Sequence, residues 1–564
     1  MAGKEGPLRK APHIWLPLLI FSLAFLLRLI YILEIRGSPF WDTFILDQEW
    51  YDQWAQEIAG GHWVGKEVFF LNPLYAYFLG LIYLPAGRAL LAVRLIQAAM
   101  GGLSCCLIWA IGRRLFGGRE AVLAGLLGAT YGLFIFYDSV LAVASLATFL
   151  NLLLVFYLLR TDAGAGKREG LIAGVLLGLS VLARPNVLLF YPFLAAFWFL
   201  KLRPRKAFLA GAMSLLGAAL VVSPVALRHL IVAGDFVPFT SSGGINLFIG
   251  NNPKADGTFM APSGVRPEPR AMLEDSTRLA EEALGRKLKA SEVSAYWQRR
   301  AMRFWREEPG KALFLYLKKL ALFWNGQELG GTYNFPYFKG RSSSLRNNPV
   351  SFGLLAPLAL LGMGVFLRRF KELLLPYGML FTYTFGIALV FVVAQYRVAA
   401  VPFALLFASA FIFWAVGKIR ELRLKPLILA AAVGAPLALG VNYPMVGGTL
   451  SVAHTNMGVL YDLRGLKGEA EREFREALRL DPENIRALNN LAIIHEERGE
   501  LKRALSLYQR AVALRPDYFE GRANYASALL RIGRFSEGLA EFQALLMERP
   551  RFAPAYLSFS SALL

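Results

Sequence analysis

The sequence predicts an all-α protein, in which a polytopic bundle of membrane-spanning helices is followed by an α-solenoid. Three observations lead to this prediction. Apolar residues make up 56% of the 564 residues, and the mean hydropathy is +0.44. Several apolar runs reach about 20 residues, the length that crosses a bilayer. From about residue 448, a pattern that returns every 34 residues replaces these runs. We therefore divide the chain into residues 1–447 and residues 448–564.

The net charge of +21 would indicate nucleic-acid binding in a soluble protein. Here the basic residues gather in short loops between apolar runs, as they do on the cytoplasmic side of membrane proteins. We therefore expect membrane lipid as a partner and no nucleic acid. Cys105 and Cys106 are adjacent inside an apolar run, so we interpret them as packing residues.

The first apolar run, residues 13–33, has full span length and lacks a small-residue cleavage site, so we expect it to be kept as a helix. With Arg9 and Lys10 in the cytoplasm, residues 34–87 form a first outer loop. The apolar stretch 73–87 within this loop is short for a span. We expect it to be an interfacial or partly re-entrant helix.

The other apolar runs bring the expected number of spans to about eleven. If residues 73–87 do not cross the membrane, all the basic clusters between the runs fall on the cytoplasmic side. The N-terminus is then cytoplasmic in the cell (inner or plasma) membrane, and the polar segment 228–350 and residues 448–564 are outside. The expected further spans are residues 88–111, 119–137, 139–160, 169–183, 187–201, 206–227, 351–367, 373–393, 398–416 and 426–444.

Residues 448–564 resemble the tetratricopeptide repeat (TPR). Small residues let the paired helices of this repeat pack, an aromatic residue fills the gap between them, and proline ends the second helix. Three repeats and a final helix at about 553–564 fit the length, and we expect their concave surface to bind a polypeptide. The residues that recur at the 34-residue step are Gly465, Gly499 and Gly533; Pro482, Pro516 and Pro550; Phe474, Tyr508 and Phe542; Ala470, Ala504 and Gly538; and Ala477, Ala511 and Leu545.

An acidic and aromatic cluster, residues 46–55, follows the first span. On a helix that starts near Asp47, this residue shares one stripe with Tyr51, whereas Glu49 lies on another face. An acidic side chain beside an apolar membrane bundle costs free energy, so its presence there indicates a function. An N-cap role for Asp47 is the structural alternative.

Other polar candidates lie on the same outer side of the expected topology. Arginine binds phosphate through its planar, bidentate guanidinium, although it also extends to lipid headgroups. Asparagines in the Gly/Asn-rich segment 241–257 offer amides to a polar ligand, or else they form a structural turn. The candidates are Asp138 at a span end, Arg184 at a tight turn, Arg228 at the start of the long segment, Asn246, Asn251 and Asn252, Glu328, and Tyr396 and Arg397 in a late outer turn.

The order of several short motifs is similar to the protein O-mannosyltransferase and aminoarabinose-transferase superfamily, which are glycosyltransferases of the C-type membrane fold (GT-C). The resemblance covers most of residues 13–415. Gln48 departs from it, because a second acid usually follows the first, and so do Leu71 and Asn72, which stand where a basic residue often precedes the proline. The matching motifs are Asp47 with Tyr51, residues 72–75, residues 112–117, and Tyr396-Arg397 followed by Pro402.

The resemblance implies that a hexosyl or pentosyl group moves from a polyprenyl phosphate to an acceptor hydroxyl through an oxocarbenium-like transition state. Asp47 would be the base, assisted by Glu49 or Asp138. Cationic groups, with Arg397 or Arg228 among them, would stabilise the leaving phosphate. No cofactor is certain, and the need for a divalent metal ion is left open. The substrate-binding residues implied are Tyr51, Arg184, Arg228, Asn246, Asn251, Asn252, Tyr396 and Arg397.

Three other functions share features with this sequence. A ligase or polymerase that joins lipid-linked glycans also has many spans and a large outer segment. A transporter or flippase should show inverted repeats and midplane charges, and neither is clear in the sequence. A scaffold would leave the acidic outer cluster unexplained. The sequence therefore predicts a glycosyltransferase that acts on a protein or glycan acceptor. We also expect a protein partner to bind the TPR groove.

Overall fold

The computed structural model describes residues 15–162, 164–331, 333–447, 449–548 and 553–563. These residues form helices and connecting loops with no β-strand, so the all-α prediction is confirmed. Arg9, Lys10 and Pro550, which entered the predictions, lie outside the described residues.

The helices of the membrane core occur in three groups along the chain. The first group is α1 (Trp15–Ile35), α2 (Asp47–Ala59), α3 (Pro73–Ala86), α4 (Leu90–Leu115), α5 (Gly118–Thr130), α6 (Gly132–Ser139), α7 (Val143–Arg160), α8 (Lys167–Ala183), α9 (Tyr191–Lys201) and α10 (Pro204–Ala233). The second is α11 (Gly243–Gly250), α12 (Pro269–Leu284), α13 (Ala290–Glu307), α14 (Pro309–Trp324), α15 (Phe335–Arg341) and α16 (Ser343–Arg346). The third is α17 (Phe352–Val365), α18 (Leu374–Ala388), α19 (Ala394–Arg397), α20 (Val401–Arg420) and α21 (Leu424–Asn442).

Six segments of the described chain are long and apolar enough to cross a membrane, with α19 and α20 counted as one of them. The pair α5 and α6 makes a seventh if this bent pair is one span. The sequence predicted a single helix there. The structure instead bends it by 52° at Tyr131, whose backbone is extended, and the Thr130 carbonyl accepts a hydrogen bond from Asn348. Helices α9, α17 and α18 are shorter apolar helices, so length and composition alone do not establish eleven spans.

Helices α8 and α10 approach each other closely because glycines line their contact. A Cβ atom at Gly174 would collide with the Ser214 carbonyl, and one at Gly170 would collide with the Ala210 carbonyl. Gly217 faces the Leu171 carbonyl in the same way. In lipid the hydrophobic effect does not drive helices together, so close van der Waals contacts at small residues such as these hold the helix backbones against each other.

We expect Gly174→Ala to destabilise the protein by about 1–3 kcal/mol, the cost of overpacking a close contact. Gly211→Ala is the matched control, because a Cβ there would meet only the Tyr191 hydroxyl, at 3.8 Å, and alanine favours a helix over glycine. Thermal unfolding in detergent measures both variants. Equal melting temperatures for the two would contradict the close packing of α8 on α10.

The basic loops lie together at one end of the bundle. Arg114 donates to the Leu159 carbonyl at 2.5 Å, and Arg369 donates to the Leu115 carbonyl at 2.8 Å. Lys201 donates to the Thr161 carbonyl. These contacts join the loops after α4, α7, α9 and α17, and they are the loops that the charge pattern grouped on one side.

Two parts of the outer segments differ from the sequence-based description. The predicted Gly/Asn-rich loop contains a helix, α11, in which Gly244 and Gly250 pack against the backbones of Ser294 and Val390. The charged sequence at about residues 271–308 predicts one helical stretch, whereas the structure has two helices there, α12 and α13, separated at Gly285, which has a positive φ of 66°. Glycine is the residue that adopts this conformation without strain.

The C-terminal helices stack as antiparallel pairs. They are α22 (Thr449–Leu463), α23 (Lys467–Leu480), α24 (Ile485–Glu497), α25 (Leu501–Leu514), α26 (Phe519–Arg531), α27 (Phe535–Glu548) and α28 (Ala553–Leu563). Gly465, Gly499 and Gly533 have φ angles of 72°, 77° and 85°, so the recurring glycine makes the left-handed turn within each pair. The recurring aromatic residues are buried, as the TPR pattern predicts.

The TPR array rests on the end of the core that is opposite the basic loops. Glu473 accepts from Arg341 at 2.9 Å and bonds His454 at 2.7 Å, and the ring of His454 lies edge-on to Tyr337, 5.0 Å between centroids. Arg464 pairs with Asp42, which follows α1. The array and the first outer loop therefore share one face of the molecule.

Candidate active site

Asp47 is the first residue of α2, and Leu46 occupies the N-cap position. The structural alternative, in which Asp47 is the N-cap, is therefore wrong. Leu46 has a φ of 56°, a conformation that is uncommon for a residue with a side chain. Backbone strain of this kind concentrates at functional sites, and no signal in the sequence indicates it.

The Asp47 carboxylate faces a group of tyrosines. Tyr51, one turn along α2, is 4% exposed and meets Tyr75 edge-on at 5.1 Å. Burial, and next to it the Asp47 charge, raise the pKa of Tyr51, and the same two causes raise the pKa of Tyr333. Asp47 also acts electrostatically on Tyr396. Three phenols from separate parts of the chain thus feel the charge of this half-buried carboxylate.

Arg184 approaches the same tyrosines from the end of α8. Its guanidinium lies over the Tyr396 ring, 4.4 Å from the centroid, and its charge also acts on Tyr51. The side chain is 7% exposed, and its buried Nε has no hydrogen-bond partner among the described residues. The charges of Asp47 and Arg184 therefore act on the same two phenols, Tyr51 and Tyr396. A carboxylate and an incompletely paired cation near the same phenols can accept a proton and bind a phosphate.

The guanidinium of Arg397 is held by protein groups through its two terminal nitrogens, and its buried Nε, like that of Arg184, has no partner among the described residues. Arg397 donates to the Phe323 carbonyl at 3.0 Å and the Asn325 carbonyl at 2.5 Å. It also pairs with Glu328 at 2.5 Å and lies over the Phe352 ring. These contacts do not support the predicted role of Arg397 in substrate binding, because its charge holds residues 323–328 in place.

Arg228 is likewise engaged by protein. Its guanidinium donates to the carbonyls of Val64, at 2.6 Å, and Glu67, and it lies 4.1 Å from the centre of the Phe69 ring. Arg228 therefore fixes the second half of the first outer loop onto α10.

The asparagines predicted to bind substrate have structural contacts. Asn251 is 1% exposed; it donates to the Leu389 carbonyl and accepts from Lys319 at 3.1 Å. Asn252 donates to the Phe248 carbonyl at the end of α11. Asn246 is half-buried on α11. The turn-forming alternative therefore describes Asn251 and Asn252 better than ligand binding.

Asp138 and Glu49 lie away from Asp47. Asp138 accepts a 2.7 Å bond from Arg28 in a buried ion pair, and Gly101 leaves room for this pair. Charges inside a membrane bundle are commonly paired in this way. Glu49 is exposed and accepts from Gln53 on the outer surface of α2. Neither acid is placed to assist Asp47 directly.

Two further side chains, Tyr333 and Lys319, were not among the residues predicted from the sequence. Tyr333 is separated from Asp47 by almost 300 positions of chain, and no local motif marks it. Lys319 is fully buried and donates to the carbonyls of Gly250, at 2.9 Å, and Val390, at 3.0 Å. Burial lowers the pKa of Lys319 to about 7. Its place on the buried stripe of an amphipathic helix, α14, was the available signal.

A cavity of about 2060 Å³ lies beside this site rather than at it. One wall is α2, where Trp50 and Trp54 begin one turn beyond Asp47, and the other includes Arg266 and Arg270 near the start of α12. Arg270 lies over the Trp50 ring at 5.6 Å. Neither Asp47 nor Arg184 lines this cavity. Within the described residues, no three His, Cys, Asp or Glu side chains are grouped to hold a metal ion.

Comparison with solved structures finds membrane glycosyltransferases. The apo oligosaccharyltransferase of Archaeoglobus fulgidus is 15% identical with a TM-score of 0.43, over 77% of this chain and 55% of that one. The archaeal oligosaccharyltransferase AglB from Archaeoglobus fulgidus, in complex with an inhibitory peptide and a dolichol-phosphate, is 14% identical with a TM-score of 0.40, over 79% of this chain and 58% of that one. ArnT from Cupriavidus metallidurans bound to undecaprenyl phosphate is 14% identical with a TM-score of 0.34, over 72% of this chain and 79% of that one.

The chain spans a little more than half the length of the archaeal enzymes. No curated protein matches it significantly. Residues 72–227 match the family described as dolichyl-phosphate-mannose-protein mannosyltransferase, and residues 460–519 and 497–563 match tetratricopeptide repeats. The resemblance indicated by the sequence is thus confirmed: a membrane core similar to the dolichyl-phosphate-mannose-protein mannosyltransferases precedes a tetratricopeptide array.

Proposed function

We propose that this protein is a membrane glycosyltransferase that moves a hexosyl or pentosyl group from a polyprenyl-phosphate donor to a hydroxyl group of a protein acceptor. The observation that supports the proposal most strongly is that the charges of Asp47 and Arg184 act on the same two phenols, Tyr51 and Tyr396, while the Arg184 guanidinium lies over the Tyr396 ring. The match of residues 72–227 to a family named for dolichyl-phosphate-mannose and protein supports the same donor and acceptor classes.

In the proposed reaction, the Asp47 carboxylate accepts the proton of the acceptor hydroxyl. The hydroxyl oxygen forms a bond to the anomeric carbon as the bond from that carbon to the phosphate oxygen breaks. The phosphate keeps the bonding electrons and leaves on the lipid. Tyr51 and Tyr333 stay protonated because their pKa values are raised, so their hydroxyls can orient the reacting groups by hydrogen bonds.

Arg184 stabilises the charge that develops on the leaving phosphate. Its guanidinium is held in place by the Tyr396 ring and a 3.4 Å bond to the Gln395 carbonyl. A cation fixed in this way needs little reorganisation when the phosphate becomes more negative, which is the basis of electrostatic catalysis. The buried Nε without a partner is the atom we assign to the phosphate.

The reaction takes place on the extracytoplasmic face in this proposal. The basic loops share one end of the bundle, and loops rich in lysine and arginine stay in the cytoplasm. Asp47 and the TPR array lie at the other end. Lipid-linked sugars are the donors suited to this face, since nucleotide sugars are cytoplasmic.

Incubation of the purified chain with radiolabelled polyprenyl-phosphate hexoses and pentoses tests the donor, and a serine- and threonine-rich peptide tests the acceptor. We expect label to pass from the lipid to the peptide hydroxyls. A chain that consumes no lipid-linked sugar would overturn the proposed donor. Label that enters a glycan but never a peptide would overturn the protein acceptor and favour a glycan ligase.

A further inference from the structure

Lys319 is a buried cation on α14 that pairs with no carboxylate among the described residues. Its side chain has no exposed surface. The ammonium group donates to three oxygens, the Gly250 carbonyl at 2.9 Å, the Asn251 side chain at 3.1 Å and the Val390 carbonyl at 3.0 Å. A buried charge without an opposite charge costs free energy, so its position indicates a role beyond packing.

The oxygens around Lys319 belong to chain segments that end two helices. Gly250 is the last residue of α11, and Val390 lies just beyond the end of α18. Carbonyl groups at the C-terminal end of a helix carry partial negative charge, which favours a cation. Asn251 extends the network, because it donates to the Leu389 carbonyl at 2.7 Å and accepts from Trp305 on α13 at 3.1 Å. Lys319 therefore joins α11, α13 and α14 to the chain that leaves α18.

The chain that leaves α18 leads directly to the candidate site. Residues 389–393 connect it to α19, which carries Tyr396 six positions after Val390. The ring of Phe391 lies 5.6 Å from the Tyr396 ring. The Arg184 guanidinium in turn lies over Tyr396, 4.4 Å from its centroid. The place of this connecting segment therefore affects the place of the Arg184 cation.

Lys319 supports the connecting segment at two points. One is its bond to the Val390 carbonyl. The other is Gly257, whose carbonyl accepts from the Val392 N–H at 2.9 Å. A Cβ atom at Gly257 would lie 3.2 Å from the Cγ of Lys319, so the stem of the lysine packs closely against this glycine. Loss of the ammonium contacts should loosen the segment without removing either helix.

We propose that Lys319 is a positioning residue for sugar transfer: its ammonium group fixes residues 389–393 and thereby the Tyr396 ring against which Arg184 lies. The inference rests on the proposed function and deepens it. The geometry around the leaving phosphate then depends on the charge of a side chain that is remote from the substrate.

This charge makes the positioning depend on pH. An ammonium group has three N–H donors for the three oxygens, whereas a neutral amine has two. The groups that face Lys319 from the neighbouring elements are all uncharged: Gly250, Asn251, Gly257 and the Val390 carbonyl, with Trp305 behind Asn251. Burial alone lowers the pKa of Lys319 to about 7. Transfer should therefore be supported below this pH and should fall as the pH rises through it.

Stability should respond to pH in the opposite direction. An unfolded lysine keeps its proton up to about pH 10.4, whereas the folded protein releases the Lys319 proton near pH 7. Between these values the unfolded chain binds more protons, so the free energy of unfolding rises with pH. A residue that only stabilised the fold would change transfer and stability together. Single-turnover transfer and thermal unfolding of the wild-type chain, from about pH 6 to pH 9, separate the two roles.

Lys319→Met keeps the length of the stem and removes the charge. At about pH 6 it should transfer sugar about 10- to 100-fold more slowly than wild type, the loss typical of a misplacement of about 1 Å. The ratio of the two rates should narrow towards one by about pH 9, where the wild-type amine is neutral. Lys318→Met changes the preceding, half-buried lysine of α14 and should follow the wild-type profile. A ratio of wild type to Lys319→Met that stayed constant over this range would overturn the inference.

Hydrogen exchange of residues 389–397, followed by mass spectrometry, tests the positioning without any sugar donor. In Lys319→Met at about pH 6, these backbone N–H groups should exchange faster than in wild type, while those of α22 and α23 should be unchanged. Equal exchange of residues 389–397 in the folded variant and in wild type would overturn the inference even if the chain is active. Faster exchange in a chain that transfers no sugar would support the positioning of the segment and overturn the proposed function instead.

Discussion

Replacing Asp47 with asparagine is expected to lower the rate of sugar transfer by about 10²- to 10⁴-fold, the range that a positioned general base contributes. Asparagine keeps the shape of the side chain but cannot accept the hydroxyl proton. The loss should appear in kcat, because binding of the donor and the acceptor uses other groups. Single-turnover transfer from a radiolabelled polyprenyl-phosphate sugar, at saturating peptide, measures it.

Glu49→Gln is the matched control for this experiment. Glu49 is an acid of the same helix, two positions from Asp47, but it is exposed and bonded to Gln53. We expect its replacement to leave the transfer rate unchanged. Transfer at the wild-type rate by Asp47→Asn, or a large loss in Glu49→Gln alone, would assign the base to a different carboxylate.

The repeating parts of the fold were predictable because periodicity is local information. The 34-residue step alone placed Gly465, Gly499 and Gly533 in turns, and all three adopt positive φ. The lengths of apolar runs placed the long spans in the same way. The break at Tyr131 was not predictable from local sequence. There the Thr130 carbonyl accepts a hydrogen bond from Asn348, which is more than 200 residues away in the chain.

The candidate site was only partly predictable, because the sequence gives residue types without their partners. Arg184 and Arg397 looked equivalent, since both are arginines at outer turns. Folding gives Arg397 a carboxylate and several carbonyls, whereas Arg184 donates to the Gln395 carbonyl at 3.4 Å and lies over the Tyr396 ring, with no carboxylate paired to it among the described residues. The difference arises from long-range packing, as does the place of Tyr333 near Asp47.

The same difference in partners predicts opposite effects for the two arginines. Arg184→Gln is expected to lower kcat by about 10²- to 10³-fold, the loss typical when one group that stabilises developing charge is removed. It should not destabilise the fold, because a buried cation with few partners contributes little stability. Arg184→Lys should recover only part of the rate, since an ammonium cannot stack on Tyr396 or bind phosphate in a bidentate manner.

Arg397→Gln provides the contrast that makes the prediction specific. It breaks the ion pair with Glu328 and leaves that carboxylate without its charged partner, a change that costs about 3–5 kcal/mol for buried pairs. We therefore expect Arg397→Gln to lower the melting temperature, and Arg184→Gln to lower kcat at an unchanged melting temperature. Thermal unfolding and single-turnover transfer on both variants separate these effects. The opposite result would be a lower melting temperature in Arg184→Gln and a stable but inactive Arg397→Gln. In that case Arg397 would be the residue that stabilises the leaving phosphate, and its ion pair with Glu328 would have to break during turnover.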